Sequence, residues 1–247
     1  MFTESTDINT CVWLFGRGAA VASGLKWAEP PEWRSLDRDI RINRIKKSLY
    51  LEMRKIPIGK NPYHRLLSIL EKRTEPNWKH LFITTNWDFL LQREILNKKL
   101  AILPDWLISS HVFHLNGSIE GTSQENRSPF LLETDSVTKR ISTFEANRAL
   151  SDIVWGDIFV VVGMSFNCEM DRGLLIYLQH HQDNLPFGEK NWYILNPDSG
   201  DLNKVKSFFE TALPRANIVP VNASFQDWIG TGMPELVKQK ILVSPGG

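Results

Sequence analysis

The residues best suited to chemistry stand where apolar runs stop. His80-Leu81-Phe82-Ile83-Thr84-Thr85-Asn86-Trp87-Asp88 reads as a strand ending in small polar residues and an Asn-x-Asp. A helical pattern (Phe89, Leu90, Leu91, Ile95) follows at once. The change of period puts Thr84 to Asp88 at the carboxyl end of a strand, the edge where open α/β sheets hold ligands. Asn86 offers a carboxamide that can hold ribose hydroxyls or a water, and Thr85 stands beside it. Asp88 either accepts a hydrogen bond from a ligand hydroxyl or caps the helix that follows.

Four further stations have the same character. Gly16-Arg17-Gly18-Ala19, continuing to Ser23-Gly24-Leu25, lies between an apolar run and a helix. Glycines there let backbone approach a pyrophosphate, and a helix amino terminus supplies N–H groups. The same residues also make a tight strand–helix turn. Val21 stands where the dehydrogenase fingerprint has its third glycine, so both readings stay open. His111-Val112-Phe113-His114-Leu115-Asn116-Gly117-Ser118, Gly163-Met164-Ser165 and Asn196-Pro197-Asp198 are again strand ends. Ser165 is suited to phosphate or ribose and Asn196 to a ribose or base edge, although singly each is also ordinary turn chemistry. Together the stations point to a nucleotide site.

The elements that must position them alternate. Strands are expected at Cys11–Phe15, Phe82–Thr84, Val112–Leu115, Ile158–Val162, Trp192–Leu195 and Ile218–Val221. Helices are expected from Ala19, over 35–56 with Ile42, Ile45, Leu49 and Met53 on one stripe, from Pro62, from Phe89, over 143–154, 169–180 and 201–212, and around 224–240. Residues 121–128 read as a polar surface loop. The alternation predicts an α/β fold: a Rossmann-like parallel sheet of about six strands with helices on both faces. One domain spans 1–247, with 26–60 as a small helical insertion or lid whose Trp27 and Trp33 either cover the ligand or simply pack. The basic run Arg38, Arg41, Arg44, Lys46, Lys47, Arg54 and Lys55 is either a solvated face or a rim over an anionic ligand or partner.

Bulk properties narrow the classes. The net charge of +1 gives no global argument for nucleic acid. Two cysteines, Cys11 and Cys168, cannot form a four-cysteine zinc site and read as reduced thiols of a cytoplasmic protein. The polar, acidic amino terminus is unlike a signal peptide, and no apolar run approaches the roughly 20 residues that span a bilayer.

With those motifs in order, the chain resembles the sirtuin family, and within it the bacterial sirtuin-like domains that destroy NAD in antiphage defence. The family's Gly-Ala-Gly loop with a downstream Ser-Gly-Ile/Leu, Asn-x-Asp, Leu-His-Gly-Ser, Gly-x-Ser and late Asn correspond here to Gly16-Arg17-Gly18, Ser23-Gly24-Leu25, Asn86-Trp87-Asp88, Leu115-Asn116-Gly117-Ser118, Gly163-Met164-Ser165 and Asn196. The resemblance implies an NAD site formed by Gly16, Arg17, Gly18, Ala19, Ser23, Thr85, Asn86, Asp88, Gly163, Ser165 and Asn196. It implies hydrolysis of NAD to nicotinamide and ADP-ribose, while the lack of the cysteines of the deacylases' zinc domain predicts no zinc domain and no metal. It also implies self-assembly or a separate defence partner protein.

Three departures bear on activity. Arg17 replaces a small residue, Lys26-Trp27 replaces the deacetylases' Pro-Asp, and Asn116 stands at the family's catalytic histidine. Asn116 can donate and accept hydrogen bonds but takes no proton at neutral pH. His114, two residues back along a strand, would share its face and supply a substitute base through one water, or else be a packed histidine. Asn86, Asn116 and His114 are therefore the candidate catalytic groups. The alternative is a catalytically inactive module that binds NAD or ADP-ribose as a sensor or assembly domain.

Overall fold

The computed structural model describes residues 8–98, 108–119, 129–166, 169–181 and 189–244. The expected loop at 121–128 and Cys168 lie outside them. Six strands form one parallel sheet: β1 (Asn9–Phe15), β2 (Trp78–Thr84), β3 (Ile108–His114), β4 (Ile158–Val162), β5 (Asn191–Leu195) and β6 (Asn217–Val221). Their order across the sheet is β3-β2-β1-β4-β5-β6, and every pairing is parallel. The direction of winding reverses between β1 and β4. That switch point opens a crevice at the carboxyl edge.

Period-two alternation within the strands feeds two cores. Cys11, Trp13 and Phe15 of β1 enter one cluster and Val12 and Leu14 the other. The first face is covered by α2 (Arg38–Arg54), α3 (Pro62–Arg73), α4 (Leu90–Asn97) and α9 (Phe225–Gly230), through Leu49, Leu66, Ile95 and Trp228. The second is covered by α6 (Phe144–Val154), α7 (Glu169–His181) and α8 (Ser199–Ala212), through Leu150, Leu178 and Phe209. β4 is buried at all five positions, which is why it reads as an unbroken Ile-Phe-Val-Val-Val run. β6 carries Pro220 at a sheet edge, where a missing N–H is tolerated. Three short helices complete the described chain: α1 (Arg17–Ala22), α5 (Val137–Ile141) and α10 (Pro234–Lys238).

Cap chemistry sets the helix starts. Asn61 accepts from the His64 amide ahead of Pro62, and Asp37, Thr143, Asp198 and Ser224 do the same for their helices. Expected helix 35–56 is α2, trimmed to Arg38–Arg54, and a 3₁₀ turn, Pro31–Ser35, precedes it. Helix α5 was unforeseen.

One expected geometry fails. β3 ends at His114, and Leu115 and Asn116 already lie in a turn. The two-residue alternation that would align Asn116 with His114 stops there, and their side chains go to different surroundings.

A core histidine illustrates a fully satisfied polar group. Trp13 Nε1 donates to His80 Nδ1 at 3.0 Å, and His80 Nε2 lies 2.9 Å from Thr74 Oγ1. Thr74 gives its own proton to the Leu70 carbonyl, so His80 carries its hydrogen on Nε2. Burial holds its pKa down to about 3, and the ring is neutral.

Candidate functional site

A cavity of about 870 Å³ lies over the carboxyl ends of β1, β2, β4 and β5. Its floor is the crossing of two loops. Gly16 N donates to Val162 O at 2.9 Å, and Gly18 N donates to Gly163 O at 2.8 Å. A Cβ on Gly18 would stand 2.7 Å from Gly163 Cα, and one on Gly163 would stand 2.4 Å from Ala19 N. Gly163 also has φ +63°, in the left-handed region. The glycines are thus required because the β1–α1 loop lies directly on the β4–α7 loop. The Gly16 and Gly18 amides thus donate to carbonyls at the end of β4, Val162 O and Gly163 O. Arg17 is the cation of that loop on the cavity wall, with its Nη2 3.3 Å from Trp27 O.

The β2 end supplies the second wall. Thr84 Oγ1 caps the turn by accepting from Asn86 N and donating to Phe15 O. Asn86 Nδ2 donates to Gly16 O at 2.9 Å, which fixes the carboxamide across the gap between β1 and β2. Thr85 Oγ1 donates to Asp171 Oδ1 at 2.7 Å. Asp88 Oδ1 accepts from Leu90 N at 3.1 Å, and Asp88 is one of the residues that line the cavity. The two readings of Asp88 are therefore compatible. Burial raises its pKa to about 6, against the lowering influence of its backbone hydrogen bonds and Arg93. Tyr63, buried beneath, is pushed well above its ordinary pKa by burial and by the Asp88 charge.

Gly163 and Ser165 of the β4 end and Asn196 of the β5 end also line the cavity. Asn196 Oδ1 accepts from Asp198 N in an Asx turn. Ala19 and Ser23 lie below the surface. Ala19 is fully buried, and Ser23 Oγ donates to Ala19 O at 2.9 Å, closing α1 internally.

Neither Asn116 nor His114 borders the cavity. Asn116 is buried, with Nδ2 donating to Thr85 O at 2.9 Å and Oδ1 accepting from Arg140 Nη1 at 2.6 Å. Its main-chain carbonyl accepts from Leu131 N. His114 stacks on Phe89, with Nδ1 3.2 Å from Asn86 O. It lies behind Asn86, against that residue's main-chain carbonyl, and not on the cavity lining.

Residues 130–135 form a strap beside this site. Trp87 Nε1 and an Arg140 Nη2 donate to Leu131 O and Leu132 O. Arg38 reaches Phe130 O and the Asp135 carboxylate. Burial opposes the Asp135 charge, but Arg38 and Lys139 outweigh it and hold the carboxyl down to about 2. Arg41 is buried in α2 and grips Glu29 at 2.6 and 2.8 Å and Glu133 at 2.7 and 2.9 Å. Glu29 and Glu133 both face the cavity, as do Trp27 and Arg34. Trp33 does not line the cavity; both it and Trp27 pack on the core. Glu29, Glu133, Asp171 and Asp201 line the wall without any local sequence signal, because each reaches it from an element whose placement is set by distant contacts.

Among the described residues no group of three or more His, Cys, Asp or Glu is placed to hold a metal ion, and no helix is long and apolar enough to cross a membrane. Cys11 is buried, which pushes its thiol far above the usual range and leaves it unreactive.

No family model and no curated protein matches the chain. A solved structure described as "Sir2-p53 peptide-NAD+" matches it with a TM-score of 0.52 and 16% identity, over 91% of this chain and 92% of that one. At that identity the likeness is one of fold, and the fold is the Rossmann-like, sirtuin-like one.

Proposed function

We propose that the switch-point cavity binds NAD and that the chain cleaves its nicotinamide–ribose bond, releasing nicotinamide and ADP-ribose. The observation that carries this reading is Asn86: its carboxamide is pinned to Gly16 O on the wall of a cavity whose volume lies in the roughly 300–1,000 Å³ range of small-molecule sites. NAD bound by the similar Sir2 structure and the ordered motifs of the sequence support the choice of dinucleotide. The motif resemblance also supports a setting in bacterial defence, with a second copy or a separate protein as partner.

The chemistry asks little of a general acid. The pyridinium leaves as neutral nicotinamide through an oxocarbenium-like state, so the chain must hold the ribose, exclude bulk water and accept one proton from the attacking water. Asn86 holds the ribose and the water. Asp88 takes the proton: a carboxyl with a pKa of about 6 is still mostly ionised at pH 7 and is a stronger base than an ordinary aspartate. It does the work for which Asn116 is unfit. Arg17 and Ser165 meet the diphosphate, and Asn196 with Asp201 receives the adenosine. The 26–60 segment, carrying Trp27 and Glu29, is the lid over the nicotinamide end.

Purified protein incubated with NAD is expected to release nicotinamide, and Asn86→Ala is expected to abolish release. A second reading, an inactive module that binds NAD or ADP-ribose, is favoured by the full commitment of the Asn116 side chain to Thr85 and Arg140. Tight ADP-ribose binding with no nicotinamide release would establish it. Calorimetry detecting no adenine nucleotide would overturn both.

A further inference from the structure

We propose that Asp171 and Asn116 are positioning residues of the site: acting through Thr85, they set the aim of the Asn86 carboxamide at the ribose of NAD. Both roles rest on the hydrolase reading of the cavity and add what holds its central group in place.

Asn86 is fastened to the cavity wall by one end of its side chain. Its Nδ2 donates to Gly16 O at 2.9 Å, and its Oδ1 has no partner among the described residues. Where that oxygen points depends on the peptide group joining Thr85 to Asn86. This peptide is planar, and both of its polar atoms are held. Its N–H donates to Thr84 Oγ1 at 3.0 Å, and its oxygen accepts from Asn116 Nδ2 at 2.9 Å. Thr85 itself is tied down twice more: its own N donates to Phe15 O at 3.1 Å, and its hydroxyl donates to Asp171 Oδ1 at 2.7 Å.

These holders are buried, with Thr85 4%, Asp171 6% and Asn116 1% exposed. A bond lost among buried groups leaves an unpaired atom rather than a hydrated one. Asp171 belongs to α7, which follows β4, while Thr85 follows β2. Their bond therefore ties together segments that leave the sheet on either side of β1. The Thr85 hydroxyl has one hydrogen and gives it to Asp171, so it donates to no ligand. The residue type at 116 follows as well. A carboxamide donates to Thr85 O while accepting from Arg140 Nη1; a carboxylate would keep the second bond and set an oxygen against the first.

Nicotinamide release by the full chain, with ADP-ribose affinity measured by calorimetry, tests this. A misplacement of about 1 Å costs on the order of 10² in rate. Thr85→Val keeps the shape of the side chain and removes its hydroxyl. It is expected to lower kcat by roughly ten- to a hundredfold while ADP-ribose affinity stays within about twofold, because the loss falls on the transition state. Asp171→Ala is expected to match it, and Asp171→Asn, which still accepts from Thr85 Oγ1, to keep most of the wild-type kcat. The double variant Thr85→Val/Asp171→Ala is expected to be no slower than either single one. Asn116→Asp is expected to lower kcat in the same way. A bond that only stabilises the fold would lower stability and leave kcat alone. An unchanged kcat in folded Thr85→Val therefore overturns the inference. Losses that multiply in the double variant also overturn it, since Asp171 would then act without Thr85. An unchanged kcat in Asn116→Asp overturns the part assigned to Asn116. Should Thr85→Val fail to fold, the two Asp171 variants decide: equal kcat values overturn the proposal. A wild type that releases no nicotinamide would instead remove the proposed hydrolysis itself, and the positioning roles with it.

Discussion

Asp88→Asn is expected to stabilise the protein while disabling it, and the size of the effect depends on pH. Burial raises the Asp88 carboxyl from 3.8 to about 6. A difference of about 2 pK units corresponds to roughly 3 kcal/mol. Below the unfolded value, near pH 4, both states hold the proton and the group costs nothing. Between pH 4 and 6 the unfolded chain ionises while the folded one resists, so stability falls as pH rises. Above pH 6 the whole cost is present. His80 works in the opposite sense over the same interval: its folded value of about 3 lies below the ordinary 6.5, so stability from this group rises with pH up to the unfolded value. In the wild type the two slopes oppose each other between pH 4 and 6. Asparagine at 88 keeps an oxygen for the Leu90 amide and carries no charge, and so exposes the His80 slope of about 1.4 kcal/mol per pH unit. Urea unfolding of both proteins at pH 4 and pH 7.5 checks this. The variant is expected to match the wild type at pH 4 and to exceed it by up to about 3 kcal/mol at pH 7.5. A stability difference that does not change with pH would refute the assignment of a buried, reluctant carboxyl at this position. In the same protein nicotinamide release is expected to fall by roughly 10²–10⁴, the contribution of a general base. Wild-type kcat/KM is expected to rise with pH through an apparent pKa near 6.

Three further outcomes follow from the contacts of the cavity floor and its backing. Asn116→Ala removes a neutral hydrogen bond and one to a buried guanidinium, and urea unfolding is expected to show a loss of about 3–4 kcal/mol, with Asn116→Asp losing less because Arg140 keeps its partner. Asn116→His is expected to give no gain in nicotinamide release, since the side chain at 116 is directed into the Thr85–Arg140 contacts; a large gain would show that the ring reaches the cavity. Gly163→Ala, at φ +63° with its Cβ 2.4 Å from Ala19 N, is expected to lower stability by roughly 2–4 kcal/mol and to weaken NAD binding in calorimetry; a variant as stable as wild type would contradict the tight loop crossing.

How much of this was legible depends on the range of the physics involved. Strand β4 and the helix capped by Asn61 and opened by Pro62 are written locally, in an apolar run and a cap–proline pair, and the sequence placed them within a residue or two. The cavity edge was legible for the same reason: Thr85, Asn86, Asp88, Gly163, Ser165 and Asn196 are strand-end residues, and parallel strands deliver all their carboxyl ends to one side. What each side chain does there is decided by partners far along the chain. The Gly18 amide reads as a phosphate donor from its motif alone, and the fold brings Gly163 O to within 2.8 Å of it. Asn116 reads as a ligand-facing residue until β3 stops at His114 and Arg140, 24 residues later, takes its oxygen. The same long-range contacts brought carboxylates that no local motif announced, Asp171 through Thr85 and Glu133 through Arg41. A motif in this fold therefore fixes where a residue stands along the edge, while its protonation and its partner are properties of the assembled crevice. That is why the proton acceptor proposed here is the carboxyl buried two residues beyond Asn86 and not the group at the position where the family resemblance looks for a base.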